Sequence, residues 1–236
     1  MRRRFIADTW TETTASLTGD QAVHLARVLR AEVGQVYDIV ANGFLHRAEI
    51  VAVREDEVTF ALHEELEADA ALPLHLLLAV FKFDHFEWAV EKATELGVAR
   101  ITPVLARRTE KHLALAATKR AERWRRIALE ASKQSRRTDI PEIAEPVSLK
   151  LALEREASAV RILLSETEQT TTLAAALAGL QTADMALAIG PEGGWTPEEM
   201  VLFTQHKWQH VTLGPRILRA ETAAIATIAI ASTYLG

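Results

Sequence analysis

Two short segments near the end of the chain combine glycine, proline and charge at spacings that could hold a ligand. The first is Ala186 to Glu199, ALAIGPEGGWTPEE. Its apolar start, Ala186-Leu187-Ala188-Ile189, predicts a buried strand. Gly190-Pro191-Glu192-Gly193-Gly194 cannot continue that strand, because proline lacks an N–H and glycine favours turns. Thr196-Pro197-Glu198-Glu199 then reads as a helix start, with Thr as N-cap, Pro in the first turn and Glu closing a capping box. A strand that opens through a glycine loop into a helix N-terminus presents backbone N–H groups at the end of a sheet, where α/β proteins keep their sites. Taken alone, the segment is equally readable as a tight turn with no ligand.

The second segment, Leu213-Gly-Pro-Arg-Ile-Leu-Arg-Ala-Glu-Thr222, repeats the logic. Gly214-Pro215 turns after a strand, and Glu221 with Thr222 opens a helix. Between them sit Arg216, Ile217, Leu218 and Arg219. Apolar side chains in a turn either fill a core gap or cover something flat. Two such loops ending adjacent late strands could hold a nucleoside, with backbone groups at the base edge and apolar side chains on its face.

The elements that must position these loops follow in chain order. Arg4 to Ala7 reads as a short strand. Thr18-Gly-Asp-Gln21 reads as a capping box before helically spaced Val23, Leu25, Ala26, Val28 and Leu29, with Gly34 ending the unit. His24, Arg27 and Arg30 share that helical spacing and form a polar face. Val36–Ala41 and Phe44–Val53 flank Asn42-Gly43, a hairpin signal, and Val58–Leu62 adds a strand. The first 68 residues thus predict a small β-rich domain with one helix. The acidic Glu64–Pro73 stretch reads as a linker to a second domain, 74–236. There, apolar strands at Leu74–Val80, Arg100–Val104, Val160–Ser165, Ala186–Ile189 and Val211–Leu213 alternate with helices. Those helices are one capped by Asp84 and ended by Gly97, a basic one capped by Thr118, short ones at Ser148 and Leu173, and the two that leave the glycine loops. This is an α/β pattern with a mostly parallel sheet. The last helix, ETAAIATIAIASTYL, has almost no polar face, which points to a subunit interface beside the sheet.

Composition is globular, with 49% hydrophobic and 25% charged residues. With no cysteine, disulfides, redox thiols and cysteine-ligated zinc are excluded, which fits a reducing cytoplasm. The eight histidines show no metal-ligand spacing, so no metal is expected. No apolar run reaches the ~20 residues of a membrane span, and the basic Met1–Phe5 start runs into polar residues rather than a signal-peptide core. The net charge of −5 argues against a generic nucleic-acid binder. Yet Lys119, Arg120, Arg123, Arg125, Arg126, Lys133, Arg136 and Arg137 face only Glu122 and Glu130 across that stretch. With Arg2, Arg3 and Arg4, this basic stripe suggests a confined polyanion contact; a solvated helix face is the alternative.

At this point the chain resembles a known family. IGPEGGWTPEE together with LGPRILRAETA is similar to the SPOUT-class methyltransferases with a deep trefoil knot. More closely, it is similar to the ribosomal RNA small subunit methyltransferase E family, which methylates N3 of a uridine in bacterial 16S ribosomal RNA. Lys92-Ala-Thr-Glu-Leu-Gly-Val98, Glu130-Ala-Ser-Lys-Gln-Ser-Arg136 and the N-terminal Arg-Arg-Phe extend the resemblance over nearly the whole chain. One departure is Ala220, where many relatives carry Thr, which argues against an essential side chain there. The resemblance implies an N-terminal PUA-like barrel that helps grip RNA, a knotted C-terminal domain that binds S-adenosylmethionine, and a homodimer. Carried onto this chain, the cofactor-binding residues would be Leu164, Ser165, Glu166, Ile189, Gly190, Pro191, Glu192, Gly193, Gly194, Leu213, Gly214, Ile217, Leu218, Thr222 and Ala223. RNA contacts would come from Arg2, Arg3, Arg4, Arg27, Arg30, Arg123, Arg126 and Arg136.

Uracil N3 carries an imide proton and no free lone pair, so methyl transfer requires that proton to leave. Arg219 is the candidate cation for the developing anion, or for a phosphate. Glu221 is a candidate base, although a glutamate at a helix start is also an ordinary cap. Other SPOUT enzymes acting on transfer RNA or a ribose 2′-hydroxyl, and a catalytically silent RNA-binding relative, share these features. A Rossmann enzyme does not, since no G-x-G-x-x-G opens a βα unit.

Overall fold

A computed structural model describes residues 4–68, 71–180 and 184–235. The chain divides into two compact units, residues up to 70 with 132–139, and residues 71–131 with 140 onward. The segment 132–139 therefore groups with the N-terminal unit, although it lies in the range expected for the second domain.

The first unit is a six-stranded sheet of β1 (Arg4–Ile6), β2 (Thr9–Trp10), β3 (Thr14–Thr18), β4 (Val36–Ala41), β5 (Phe44–Val53) and β6 (Glu57–Leu66), in the order β1-β4-β5-β6-β3-β2. β1 runs parallel to β4 and the other pairs are antiparallel. Asn42 and Gly43, both at positive φ, make the tight turn that joins β4 to β5. Leu17, Leu25, Ile39, Ile50, Val58 and Phe60 fill the core.

Three expectations change here. β2 has two residues and β3 five, so neither makes a run long enough to read, although Ala15 and Leu17 of β3 are buried. The Thr18 capping box is not made, because the Thr18 N–H and hydroxyl both donate to Asp8. The helix α1 (Gly19–Val23) passes into a π-helical turn, His24–Val28. Arg30 lies beyond it at φ 50°, so the helical spacing of His24, Arg27 and Arg30 does not become one face. The acidic linker is also shorter than expected, since β6 runs to Leu66 and the next strand starts at Leu72.

The second unit alternates β7 (Leu72–Ala79), α2 (Phe83–Glu95), β8 (Val98–Leu105), α3 (Lys111–Ser135), β9 (Glu142–Ile143), β10 (Val147–Ser148), α4 (Leu149–Arg155), β11 (Val160–Leu164), α5 (Leu173–Leu177), β12 (Met185–Ile189), α6 (Pro197–Gln205), β13 (Gln209–Val211) and α7 (Ala220–Leu235). The sheet order is β10-β8-β7-β12-β11-β13, with β9 beside β8, and every pairing is parallel. All strands therefore end on one edge, where the loops of interest lie. β12 and β13 are not neighbours as expected; β11 lies between them.

Every residue of β12 is buried, which explains its unbroken apolar run. Met185, Leu187 and Ile189 join the core with Phe86, Trp124 and Ile228. Ala186 and Ala188 join the opposite one, against Trp195, Phe203 and Trp208. Small residues on that face leave room for three aromatic rings, which meet edge to face at 4.9 and 5.4 Å.

Two helix starts differ from expectation. Thr118 is an exposed residue inside α3, which begins at Lys111. Its buried stripe already starts at Leu113 and continues through Ala117, Ala121, Trp124 and Ala128. Asp84 lies in the first turn of α2 rather than at its N-cap, which is Lys82. Among the described residues no helix is long and apolar enough to cross a membrane.

Candidate active site

Three loops leave the strand ends at β11, β12 and β13. The middle one is the glycine loop. A Cβ on Gly190 would sit 3.0 Å from Trp195 Nε1, so the buried indole would have to give way. The loop closes on a Gly194 N–H to Pro191 carbonyl bond of 2.8 Å, with Gly194 at φ +67°. That backbone conformation is costly for any residue with a Cβ. Pro191 is buried, while Glu192 and Gly193 are exposed. Thr196 caps α6 as expected. Its hydroxyl accepts from Glu199 N (3.3 Å), and Glu199 Oε2 accepts from Thr196 N (2.9 Å).

The same buried Glu199 does more than close a cap. Its Oε1 accepts the Arg107 N–H at 2.8 Å, which ties the loop after β8 to the start of α6. Thr109 holds that loop from the other side, donating its hydroxyl to the Val80 carbonyl at 2.8 Å. Arg108, between the two staples, donates from Nη1 to the Gly193 carbonyl at 2.5 Å and, more weakly, to the Trp195 carbonyl at 3.4 Å. A Cβ on Gly193 would meet Arg108 Cδ at 3.3 Å. Arg108 is not among the site residues expected from the sequence. Its partners are carbonyls of a loop 85 and 87 positions away, which no local signal encodes. Glu198 also feels these cations. Its own backbone N–H and the Thr196 hydroxyl lower its carboxyl below the usual range, and Arg107 and Arg108 add to the shift.

On the β11 side, Leu164 is half-buried and packs on the core. Ser165 donates its N–H to the Val211 carbonyl (3.0 Å), and its hydroxyl meets that of Thr167 at 2.9 Å. Thr212 N and the Thr171 carbonyl, with Leu173 N and the Thr212 carbonyl, fasten this loop to the end of β13. Glu166 is exposed, with Oε2 4.0 Å from where a Gly194 Cβ would be. The 164–166 segment thus bridges the glycine loop and the β13 end, a role left unexplained by strand adjacency.

On the β13 side, Thr212 Oγ1 bonds both the N–H and the carbonyl of Gly214 at 3.2 Å, shaping the turn. A Cβ on Gly214 would meet nothing within 4 Å, so open space lies beside it. Leu213 packs on the core and Leu218 is half-buried, whereas Ile217 is 84% exposed. Arg219 is exposed and makes no side-chain hydrogen bond or ion pair among the described residues. Glu221 is the opposite, with its side chain 3% exposed. His85 Nδ1, on the first turn of α2, lies 3.0 Å from its Oε1. Its buried Oε2 has no hydrogen-bond partner among the described residues. Arg219 and Glu221 therefore point to different environments. Thr222 is exposed, Ala223 half-buried and Ala220 buried.

The basic residues divide by unit. In the second, Arg120 and Arg123 both bond Glu87 Oε1, at 3.2 and 2.8 Å, and Arg125 is held by Glu145 and Glu122. Arg126 and Lys119 are exposed and carry no carboxylate partner among the described residues. In the first unit Arg4 donates to the Arg136 carbonyl at 2.7 Å, Arg27 pairs with Glu55, and Arg30 and Arg136 are exposed. Arg2 and Arg3 lie outside the described residues.

An all-parallel sheet with flanking helices and three loops on its C-terminal edge is an α/β methyltransferase fold. Residues 68–232 match the family model of an RNA methyltransferase domain. The chain is 31% identical over 229 residues to the ribosomal RNA small subunit methyltransferase E of Bacillus subtilis, covering 93% of this chain and 90% of that one. It is 34% identical over 222 residues to the enzyme of that name from Synechocystis, covering 92% and 72%. In structure it resembles the ribosomal RNA small subunit methyltransferase E of Neisseria gonorrhoeae bound to S-adenosyl methionine, with TM-score 0.82, 27% identity and 99% and 98% of the two chains covered. The chain belongs to the ribosomal RNA small subunit methyltransferase E family.

Proposed function

We propose that this chain transfers a methyl group from S-adenosylmethionine to N3 of a specific uridine in bacterial 16S ribosomal RNA. The observation that carries the proposal is the cradle at the sheet edge. Its backbone carries no side chain at Gly193, Gly194 and Gly214, and a Cβ on Gly214 would meet nothing within 4 Å. Bare glycines at the strand ends suit a nucleoside whose edge needs backbone groups, and exposed Ile217 would supply apolar cover for its face. When bound, the sulfonium supplies an activated methyl group. The chain's own residues do the rest. Gly190, Pro191, Leu213, Gly214 and Ile217, with Leu164, Ser165, Ile189, Thr222 and Ala223 around them, hold and orient the cofactor. Arg219, with no side-chain hydrogen bond or ion pair among the described residues, stabilises the negative charge that builds on the uracil carbonyls as the N3 proton passes to solvent water. Glu221, buried with Oε1 3.0 Å from His85 Nδ1, anchors the start of α7 and so sets where Arg219 stands. No metal is needed for this chemistry.

The remaining parts of the reading follow the family. The second unit is a trefoil-knotted domain, and the N-terminal unit is a PUA-like RNA-binding barrel. Arg126 holds phosphates on the second unit, as do Arg4, Arg30 and Arg136 on the first. Arg123 and Arg27 contribute less while Glu87 and Glu55 hold them. The working form is a cytoplasmic homodimer. In its support, α7 buries one stripe, Ala220, Ala224, Thr227, Ile228 and Ala231, while Ile225, Ala226, Ala229 and Ile230 stay half-exposed. Trp88 on α2, the helix packed against α7, is 47% exposed.

The test is a nucleoside digest of 16S ribosomal RNA, taken from a strain lacking this gene and incubated with pure protein and S-adenosylmethionine. The expected product is 3-methyluridine. A 2′-O-methylnucleoside, or no product with either naked RNA or small subunits, would overturn the assignment.

A further inference from the structure

We infer that Arg108 and Glu166 form a charge-paired subsite for the amino-acid end of the methyl donor. The inference rests on the methyl-donor reading above. The two side chains come from different loops, those after β8 and β11, and converge on one point. Arg108 Nη1 lies 3.9 Å and Glu166 Oε2 4.0 Å from the position a Gly194 Cβ would take. Opposite charges placed that close normally collapse onto each other. Here no ion pair joins them among the described residues. Arg108 is held back by its bonds to the Gly193 and Trp195 carbonyls, and its loop is stapled by Glu199 and Thr109. Both carbonyl bonds use Nη1, so the rest of the five-donor fork is directed elsewhere. Gly194, beside the two charges, carries no side chain.

The result is a guanidinium and a carboxylate beside one bare glycine, in the loop that would carry the cofactor. A ligand end that satisfies both must itself be a zwitterion. The α-carboxylate and α-ammonium of the donor's methionine part are such a pair, and no other portion of a sulfonium nucleoside is. Arg108 takes the carboxylate with its free fork edge, and Glu166 takes the ammonium. This assigns Arg108 two tasks that separate in experiment, shaping the glycine loop and binding the zwitterion.

The experiment compares two probes by calorimetry on the full-length protein. S-adenosylhomocysteine keeps the amino-acid end; 5′-methylthioadenosine lacks it. Wild type should bind S-adenosylhomocysteine the more tightly. Arg108→Met and Glu166→Gln should each weaken S-adenosylhomocysteine about tenfold to a hundredfold while 5′-methylthioadenosine stays within twofold. Arg108→Lys should restore part of the loss. Equal weakening of both probes in Arg108→Met would reduce Arg108 to a loop-shaping role and overturn the subsite, as would wild-type protein that binds the two probes equally. Wild-type protein that binds neither probe would remove the methyl-donor reading itself, a result distinct from either of those.

Discussion

Replacing Glu199 tests whether one buried carboxylate sets the geometry of two site loops. The side chain accepts from Arg107 N at 2.8 Å and from Thr196 N at 2.9 Å, in a residue 3% exposed. A hydrogen bond to a charged group is worth about 1.5–3 kcal/mol. Glu199→Ala removes two. The Arg107 N–H belongs to an exposed residue and regains water, so the net cost should fall to about 2–3 kcal/mol of unfolding free energy. Glu199→Gln keeps one acceptor and should cost about 1 kcal/mol. Thr196→Ala, which loses only the reciprocal 3.3 Å cap bond, should also cost about 1 kcal/mol. Urea denaturation followed by tryptophan fluorescence gives these values, with Trp195 adjacent as reporter. Binding of S-adenosylhomocysteine should weaken in the same order, Ala more than Gln, because Arg108 loses the staple that aims it. A Glu199→Ala protein within about 0.5 kcal/mol of wild type, with unchanged affinity, would refute the reasoning.

Four further outcomes follow. Gly194→Val forces a β-branched residue to φ +67°; it should cost at least about 1–2 kcal/mol and abolish S-adenosylhomocysteine binding, and retained binding would mean the loop is not the cradle. Arg219→Ala should lower kcat by at least about a hundredfold with cofactor affinity within twofold; near-normal turnover would remove its role. Burial pushes the Glu156 carboxyl up, but bonds from His75, 2.5 Å away, and from Ser158 outweigh it and hold it at about 2. Its native pKa being depressed, its contribution, of order 3 kcal/mol, is present at neutral pH and lost as pH falls from about 5 toward 2. Glu156→Gln should therefore be destabilised at pH 7 and converge on wild type in acid, and a pH-independent difference in denaturation midpoint would contradict this. Arg126→Ala should reduce the salt slope of RNA binding by about 1 and Arg123→Ala by less, since Glu87 already neutralises it; equal losses would contradict the ion pair's persistence in the complex.

Much of the second unit was legible because its signals are local. Proline after a buried apolar run, glycine where a Cβ would crowd Trp195, and Thr-x-x-Glu at a helix start each act within a few residues, so Ile189 to Glu199 folds as its spelling implies. The continuous burial of β12 likewise follows from an apolar run with no polar face. The first unit was less legible. β2 and β3 are short, and the Thr18 box lost its hydroxyl to Asp8, ten positions away, a competitor that spacing cannot rank.

The sequence by itself determined the glycine turns at strand ends, the capped start of α6 and the family those residues mark. Only the tertiary structure decided which groups meet. Parallel pairing inserted β11 between β12 and β13, which brought Glu166 to the glycine loop. It set Arg108 over Gly193 and turned Glu221 inward to His85 while leaving Arg219 in solvent. Those contacts join residues scores of positions apart. Their formation depends on strand order and on where buried charge finds a partner, and neither is written in any local stretch of chain.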